Sequence, residues 1–179
     1  SFSMALLAND KAKISSFDLY PHKVELIKNS AKRLKITSVN ASVRDALTED
    51  NSLIGQFDVV LCDAPCSGLG VIGRKPEIRN RAIDDINSLP ELQYSILKNT
   101  AKLLKTGGRL FYSTCTLNPK ENNEIADKFL SEHKDFEAIA LNIPENIKRG
   151  TDEPVNQLTL FPHINGTDGF FISAFKKVR

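Results

Sequence analysis

Residues 57–70, FDVVLCDAPCSGLG, contain an apolar run that ends abruptly in an acid, a proline, a cysteine and two glycines. The run from Phe57 to Cys62 is short and rich in β-forming residues, which predicts a buried strand. The residues that follow it favour a tight turn. Three chemistries compete for Cys66 and its neighbour Cys62: a metal site, a disulfide or a reactive thiol.

Similar short runs alternate with helical patterns along the whole chain. The predicted strands are Ile14 to Phe17, Val39 to Val43, Phe57 to Cys62 and Leu110 to Ser113, followed by Phe136 to Leu141 and Gly169 to Phe175. The predicted helices are His22 to Leu34, Leu89 to Leu104 and Asn118 to Leu130, and Ser1 to Ala8 has the pattern of part of another. This order predicts an α/β fold with a doubly wound, mostly parallel sheet, and the two late strands are expected to be antiparallel at its edge.

The sequence also predicts two of the connections between these elements. Thr106-Gly107-Gly108 is expected to end the second helix and lead directly into the strand at Leu110. A proline-bearing loop around residues 143–168 is expected to join the two late strands.

The composition predicts a soluble protein with one domain, residues 1–179. Hydrophobic residues make up 41% and charged residues 26% of the sequence, and no segment approaches the roughly 20 apolar residues of a membrane helix. The net charge of +2 permits a polyanionic partner without requiring one. The sequence opens without a secretory leader, so we expect a cytoplasmic protein. Nothing in the pattern indicates an oligomeric state.

Three cysteines do not make a disulfide framework. A zinc site uses paired Cys or His ligands at short spacing, and the cysteines lie far in sequence from the three histidines. We therefore expect neither a structural disulfide nor a bound metal. Cys62 lies inside its predicted strand and is expected to be a small buried hydrophobic residue.

An acid follows each of the first three predicted strands: Asp18, Asp45 and Asp63. In a doubly wound sheet these strand ends line one crevice, where carboxylates accept hydrogen bonds from ribose hydroxyls or an adenine amino group. Three acids in this arrangement favour a nucleoside site. The alternative is that each is a turn or cap residue.

The sequence around Cys115, Tyr112-Ser113-Thr114-Cys115-Thr116, also lies where a strand meets a loop. If the strands at 57–62 and 110–113 are neighbours, Cys66 and Cys115 open onto one cleft. Two thiols and an acid suit methylation of a pyrimidine, because a thiolate added at carbon 6 makes carbon 5 nucleophilic. A protonated acid at N3 would offset the developing charge, provided that burial keeps its proton in place. A base must then remove the proton from carbon 5.

Two blocks, DAPCSGLGVIGRKPEIR and YSTCTLNPKENNEI, resemble the signature motifs of the S-adenosylmethionine-dependent RNA cytosine-5 methyltransferases of the bacterial ribosomal-RNA type. The similarity runs from about Ile14 to the closing DGFFISAFKK. It implies a Rossmann-like class I methyltransferase fold, S-adenosylmethionine as cofactor and small-subunit ribosomal RNA as substrate.

The resemblance also implies roles for individual residues. Cys115 matches the nucleophile, Cys66 the cysteine that assists release of the methylated base, and Asp63 the acid that faces the cytosine. Asp18 matches the ribose-binding acid, and Asp45 lies near the adenine. The residues themselves do not distinguish the roles of the two cysteines.

The remaining matches concern the loop after Cys66. Pro65 shapes the turn that presents Cys66, and Asp63 also lies near the cofactor's reactive end. RNA contacts are expected at Arg74, Lys75 and Arg79, although a charged loop of this kind is equally consistent with a solvated surface.

Members of the family carry a first strand and a proline-glycine-glycine-lysine loop that have no counterpart in this sequence. We therefore expect an N-terminally truncated catalytic domain with little activity by itself, and a central sheet that has a gap or is completed by a partner chain. Two other functions stay open: a non-catalytic nucleotide- or RNA-binding module, and a thiol redox protein that cycles a disulfide between Cys66 and Cys115.

Overall fold

The structure, a computed structural model, describes residues 1–150 and 152–179. Within them the chain forms two compact units, Ser1–Glu49 and Asp50–Arg179. The expectation of a single domain stays a prediction. Among the described residues, no helix combines the length and the apolar character needed to cross a membrane.

The first unit is a two-stranded parallel sheet with two helices. Its elements are α1 (Phe2–Leu7), β1 (Ile14–Asp18), α2 (Pro21–Arg33) and β2 (Val39–Val43). The strands pair from Ile14 opposite Val39 to Asp18 opposite Val43. Helix α2 begins with Pro21, which costs no hydrogen bond at the first helical position. A small core forms around Ala5, Ile14 and Ile36.

The second unit contains the remaining strands and helices. They are β3 (Phe57–Asp63), α3 (Ile83–Ala101), β4 (Leu104–Thr114), α4 (Asn123–Glu132), β5 (Phe136–Ala138), β6 (Gln157–Leu160), α5 (Pro162–Asn165) and β7 (Phe170–Lys177). Short 3-10 turns occur at Leu69–Val71, Pro76–Asn80 and Pro119–Glu121.

The sheet of the second unit has the order β3-β4-β7-β5, and β6 also pairs with β7. Strands β3 and β4 are parallel, whereas β7 is antiparallel to β4, β5 and β6. The α/β class and the antiparallel late strands are therefore as the sequence predicts. Strand β7 lies inside the sheet, because it pairs with β4 as well as with the short strands β5 and β6. The last strand in the order is β5.

Helices α3 and α4 supply the apolar side chains that cover this sheet. Leu97 and Ala101 lie one turn apart on α3 and are buried, as are Ala126 and Phe129 on α4. Strand β4 contributes the alternate residues Leu110 and Tyr112 to the same core. Its neighbour β7 contributes Phe171 and Phe175. This core fixes the edge at which β3 and β4 end.

Several predicted boundaries are wrong. Strand β4 begins at Leu104 and not at Leu110, and β5 ends at Ala138 and not at Leu141. Helix α3 begins at Ile83 instead of Leu89, because Pro90 lies inside the helix and does not open it. Thr106, Gly107 and Gly108 belong to β4 and do not terminate the helix, which ends at Ala101. Phe57 of β3 pairs with Leu104 of β4, but Val59 pairs with Arg109, so β4 has extra residues between these two pairs. The extra residues form a bulge in β4, and Gly107 adopts φ +83° within it.

Two other segments differ from the prediction, one predicted as a loop and one as a helix. Residues 143–168 contain β6 and α5. The predicted helix at 118–130 starts instead as a 3-10 turn, capped by the Asn118 side chain, which accepts a hydrogen bond from the amide of Lys120. Helix α4 follows from Asn123.

Candidate active site

Strands β3 and β4 bring the two cysteine-containing loops to the same edge of the sheet. Cys62 pairs with Tyr112 and Asp63 with Ser113 in a parallel ladder. The amide of Ala64 continues the contact by donating to the carbonyl of Ser113 at 3.0 Å. Because parallel strands end at the same edge, the loops that follow β3 and β4 face each other, as the sequence predicts.

The Sγ atoms of Cys66 and Cys115 are 3.2 Å apart, and both cysteines are half-buried. Both are free thiols. Cys62 is buried within β3, at 3% exposure, and its pKa is raised to about 12 by that burial. It is the small buried hydrophobic residue that the sequence predicts, and the two remaining thiols are the ones in contact.

Burial raises the pKa of the Cys66 thiol to about 12, and the hydrogen bond with Cys115 acts in the same direction. Cys66 therefore carries its proton at neutral pH and can donate it to Cys115 Sγ. Once ionised, a thiol with so high a pKa is a strong base.

Both thiols line one cleft of about 410 Å³. Asp63, Pro65 and Phe170 contribute to its wall, and two cations and one further acid lie at it: Lys75, Arg81 and Glu77. A cleft of this size lies within the range that holds a small-molecule ligand or a single base. Its mixed charge suits a polar, partly anionic ligand.

Asp63 ends β3 and is exposed. The hydroxyl of Ser113 donates to its Oδ1 at 3.1 Å. The sequence analysis made its role as a protonated acid conditional on burial, and in this structure that burial is not present. A ring bound in the cleft would have to supply it.

A buried polar network holds the loop that carries Cys66. Gln93 Nε2 donates to the Pro65 carbonyl at 2.8 Å and to Glu121 Oε2 at 2.9 Å. Arg81 donates to the carbonyls of Cys66 and Ser67 at 3.0 and 3.1 Å. Sequence reasoning missed these three residues. The sequence carries little signal for them: Glu121 lies within the second signature block, Arg81 lies two residues after the first, and Gln93 lies within the predicted helix Leu89 to Leu104.

Asp18 and Asp45 both lie at the carboxyl edge of the sheet in the first unit. Asp18 ends β1, and Asp45 follows β2 by two residues. Asp18 Oδ1 accepts from the amide of Tyr20, and Asp45 Oδ1 accepts from the amide of Leu47, each at 2.9 Å. Both are therefore turn acids, as the alternative interpretation has it, and each keeps a second carboxylate oxygen that can accept from a hydroxyl or amino group.

The sequence matches a family model described as 16S rRNA methyltransferase RsmB/F over residues 2–176. The chain belongs to this family. Among curated relatives it is 42% identical over 182 residues to a probable ribosomal RNA small subunit methyltransferase B of Bacillus subtilis, covering 99% of this chain and 40% of the relative. A protein of the same name from Synechocystis is 35% identical over 177 residues, which is 97% of this chain and 40% of that relative.

A third relative in this RsmB/F family is a ribosomal RNA small subunit methyltransferase F of Shewanella woodyi, 31% identical over 98% of this chain and 37% of that relative. The chain thus spans about two fifths of the length of the curated relatives it matches. The family membership confirms the resemblance to ribosomal RNA methyltransferases.

Solved structures agree with the RsmB/F assignment. NSun6 from Pyrococcus horikoshii, crystallised with SFG, an analogue of S-adenosylmethionine, superposes with a TM-score of 0.84 at 29% identity, over 99% of this chain and 44% of that one. A methyltransferase homologue from the same organism gives a TM-score of 0.79 at 30% identity, over 97% of this chain and 56% of that one. The Rossmann-like methyltransferase fold is confirmed.

The basic residues predicted to contact RNA do not share one environment. Lys75 lines the cleft, whereas Arg74 forms an ion pair with Asp168. Arg79 is exposed in the 3-10 turn and is not among the residues that line the cleft. All three stay predictions as RNA contacts.

Gly70 packs against the backbone on two sides of the cleft. Its amide donates to the carbonyl of Cys115 at 3.0 Å, and its carbonyl accepts from the amide of Gly169 at 2.8 Å. A Cβ at Gly70 would lie 2.2 Å from the carbonyl oxygen of Gly169 and 2.8 Å from that of Cys115. Only glycine fits here without a shift of the backbone.

Replacing Gly70 by alanine is expected to lower the free energy of unfolding by about 3 kcal/mol, because the clash is with backbone atoms that have no rotamer to change. Chemical denaturation followed by circular dichroism measures this loss. Gly73→Ala is the matched control, since a Cβ there meets nothing within 4 Å. Equal stability of the two variants would contradict the close packing at Gly70.

Proposed function

We propose that the protein transfers a methyl group from S-adenosylmethionine to carbon 5 of a cytosine in small-subunit ribosomal RNA, through a covalent adduct between Cys115 and carbon 6. The observation that carries this proposal is the pair of thiols 3.2 Å apart in a cleft that Asp63 also lines. Membership of a family of 16S rRNA methyltransferases supports the substrate class.

The acids of the first unit suit the cofactor. When bound, S-adenosylmethionine supplies an electrophilic methyl group. Asp18 has an acceptor oxygen for the ribose hydroxyls, and Asp45 has one for the adenine amino group. The SFG complex of NSun6 supports the use of this cofactor class.

Cys115 would act first, as a thiolate that bonds to carbon 6 of the cytosine. The electron pair of the carbon 5–carbon 6 double bond moves to the carbon 4–carbon 5 bond, and the pair of the carbon 4–N3 double bond moves to N3. Once the bound ring has buried Asp63 and kept its carboxyl group protonated, that group donates its proton to N3. Carbon 5 would then accept the methyl group of S-adenosylmethionine, and the S–C electron pair would stay on sulfur, leaving S-adenosylhomocysteine. Carbon 5 then carries both the methyl and its original proton.

Cys66 would complete the reaction. Its thiolate removes the proton from carbon 5, the electron pair restores the double bond, and the bond from carbon 6 to Cys115 breaks. N3 returns its proton to Asp63, and Cys115 leaves as a thiolate. The raised pKa of Cys66 makes its thiolate a strong base and also makes that thiolate scarce at neutral pH.

Analysis of the product tests the reaction. Incubating the full-length gene product with unmodified small-subunit ribosomal RNA and S-adenosylmethionine is expected to give 5-methylcytidine, measured by nuclease digestion and mass spectrometry of the nucleosides. Methylation at another atom would overturn the thiol-addition mechanism. Absence of any methylated nucleoside would favour the non-catalytic RNA-binding module.

The contact between Cys66 and Cys115 also fits the thiol redox protein, since two thiols at this distance can form a disulfide. The nucleoside product distinguishes the two functions. A redox protein yields no 5-methylcytidine, whatever the state of its cysteines.

Lys75 is the predicted RNA contact that lines the cleft. Lys75→Ala is expected to weaken RNA binding and to reduce the slope of log K against log salt concentration by about 0.7, the value for one phosphate on a single strand. Lys134→Ala is the matched control, because Lys134 is an exposed lysine that does not line the cleft. Fluorescence anisotropy over a salt series measures both slopes, and equal slopes would remove Lys75 from the interface.

A further inference from the structure

The carboxylate of Glu121 is fully buried between the two cysteine loops, at 0% exposure. Its Oε2 accepts from the amide of Ser67 at 2.8 Å and from Gln93 Nε2 at 2.9 Å, and its Oε1 accepts from Asn118 Nδ2 at 2.9 Å. All three donors are neutral. A buried carboxylate is costly unless hydrogen bonds satisfy it, and here both oxygens are satisfied.

These hydrogen bonds reach both neighbours of Cys66. Ser67 follows Cys66 directly, and Gln93 Nε2 bridges Glu121 to the carbonyl of Pro65, which precedes it. The loop after Cys115 is held at the other carboxylate oxygen, through Asn118. One side chain therefore joins the two segments that carry the thiols.

We propose that Glu121 is a positioning residue that sets the approach of Cys66 Sγ to Cys115 Sγ, acting through Ser67, Gln93 and Asn118. It touches neither reacting thiol. The consequence for catalysis rests on the proposed function, whereas the consequence for the distance between the thiols does not.

The variant Glu121→Gln breaks the network with little change of shape. Its single side-chain oxygen can serve Ser67 and Gln93, and its amide group then faces Asn118 Nδ2, so that two donors oppose each other. Asn118 is held from turning over, because its Oδ1 accepts from the amide of Lys120 at 3.2 Å. The two loops are expected to separate at this point.

The second substitution Asn118→Asp restores a donor–acceptor pair. In Glu121→Gln/Asn118→Asp, the new carboxylate accepts from the amide of residue 121 and still accepts from Lys120. A positioning role predicts that the double variant recovers what the single variant loses. Rescue of this kind does not follow from a loss of stability alone.

The approach of the two thiols is tested by the rate at which diamide oxidises them to a disulfide. The two thiols give up two protons and two electrons to diamide, which is reduced to the hydrazine, and a bond forms between the Sγ atoms. Peptide mapping by mass spectrometry follows the Cys66–Cys115 disulfide in the full-length gene product. Glu121→Gln is expected to slow its formation by about 10-fold to 100-fold, and the double variant to recover most of the rate.

Tyr112→Phe is the control for general destabilisation. It removes the hydrogen bond from the Tyr112 hydroxyl to the backbone carbonyl of Glu121, at 2.6 Å, and leaves the carboxylate untouched. It is expected to lower the melting temperature without slowing disulfide formation. An unchanged rate in Glu121→Gln, or an equal fall in Tyr112→Phe, would overturn the proposal.

Two further measurements complete the test. If circular dichroism shows that Glu121→Gln is unfolded, Gln93→Leu replaces it as the test variant. Gln93→Leu removes the link between Glu121 and the Pro65 carbonyl, and it must then slow formation of the disulfide. With RNA and S-adenosylmethionine, Glu121→Gln is expected to accumulate protein–RNA adduct, because Cys66 is misplaced for release. If the wild type yields no 5-methylcytidine and no variant forms an adduct, the proposed function fails, and the oxidation rates still decide the positioning role.

Discussion

Replacing Cys115 by alanine is expected to slow methyl transfer to RNA by about 10⁴-fold or more. Without a thiol at this position, no bond forms to carbon 6 and carbon 5 stays a poor nucleophile. Transfer of labelled methyl groups to small-subunit ribosomal RNA measures the rate. The fold should be unaffected, because Cys115 lines the cleft and is only half-buried.

Cys62→Ala is the control for this loss. Cys62 lies in β3 and does not line the cleft, so its replacement is expected to leave the rate close to that of the wild type. A variant lacking Cys115 that still methylates RNA, beside an inactive Cys66→Ala, would make Cys66 the nucleophile and reverse the proposed roles.

The sequence was sufficient to predict that the two cysteines share a cleft. That prediction needed only two short strands followed by loops, and the assumption that the strands are parallel neighbours. The alternation of strands and helices supplied the assumption. The register of Cys62 with Tyr112 then follows from the buried faces of β3 and β4.

The errors in the fold have local causes. Pro90 resembles the first residue of a helix, but the helix extends seven residues before it, to Ile83. Gly107 and Gly108 resemble a helix end, yet they form a bulge in β4 after α3 has ended at Ala101. In both places the packing of the second unit overrides the local pattern.

The supporting residues of the site could not be predicted, because their contacts join segments far apart in sequence. Glu121 meets Ser67 and Gln93, which are 54 and 28 residues away. A glutamate near the start of a helix has an ordinary explanation in the helix itself. Only the fold shows that its carboxylate points inward, beneath the loop of Cys66.

One property of Cys66 bears on its proposed role and is visible neither in the sequence nor in the distance between the two thiols. Cys66 has a pKa raised to about 12 by burial and by its hydrogen bond to Cys115. A thiol that keeps its proton is poorly suited to attack and well suited to act as a base late in the reaction. The raised pKa of Cys66 therefore supports it as the release residue.

Cys66→Ala is accordingly expected to trap the protein on RNA. Cys115 still adds to carbon 6 and the methyl group is still transferred, but no base removes the proton from carbon 5. Release is expected to slow by about 10²–10⁴-fold, the usual contribution of a general base. A denaturing gel after incubation with small-subunit RNA and S-adenosylmethionine measures the adduct, and Cys66→Ala/Cys115→Ala must form none.

The pH dependence separates this role from a structural one. Below a pKa of about 12 the Cys66 thiolate increases about tenfold per pH unit, so decay of the wild-type adduct should accelerate between about pH 7 and about pH 9. The residual decay in Cys66→Ala should lack this acceleration, because the titrating group is gone. Equal pH profiles in the two proteins would assign the release step to another base, even if the alanine variant accumulates adduct.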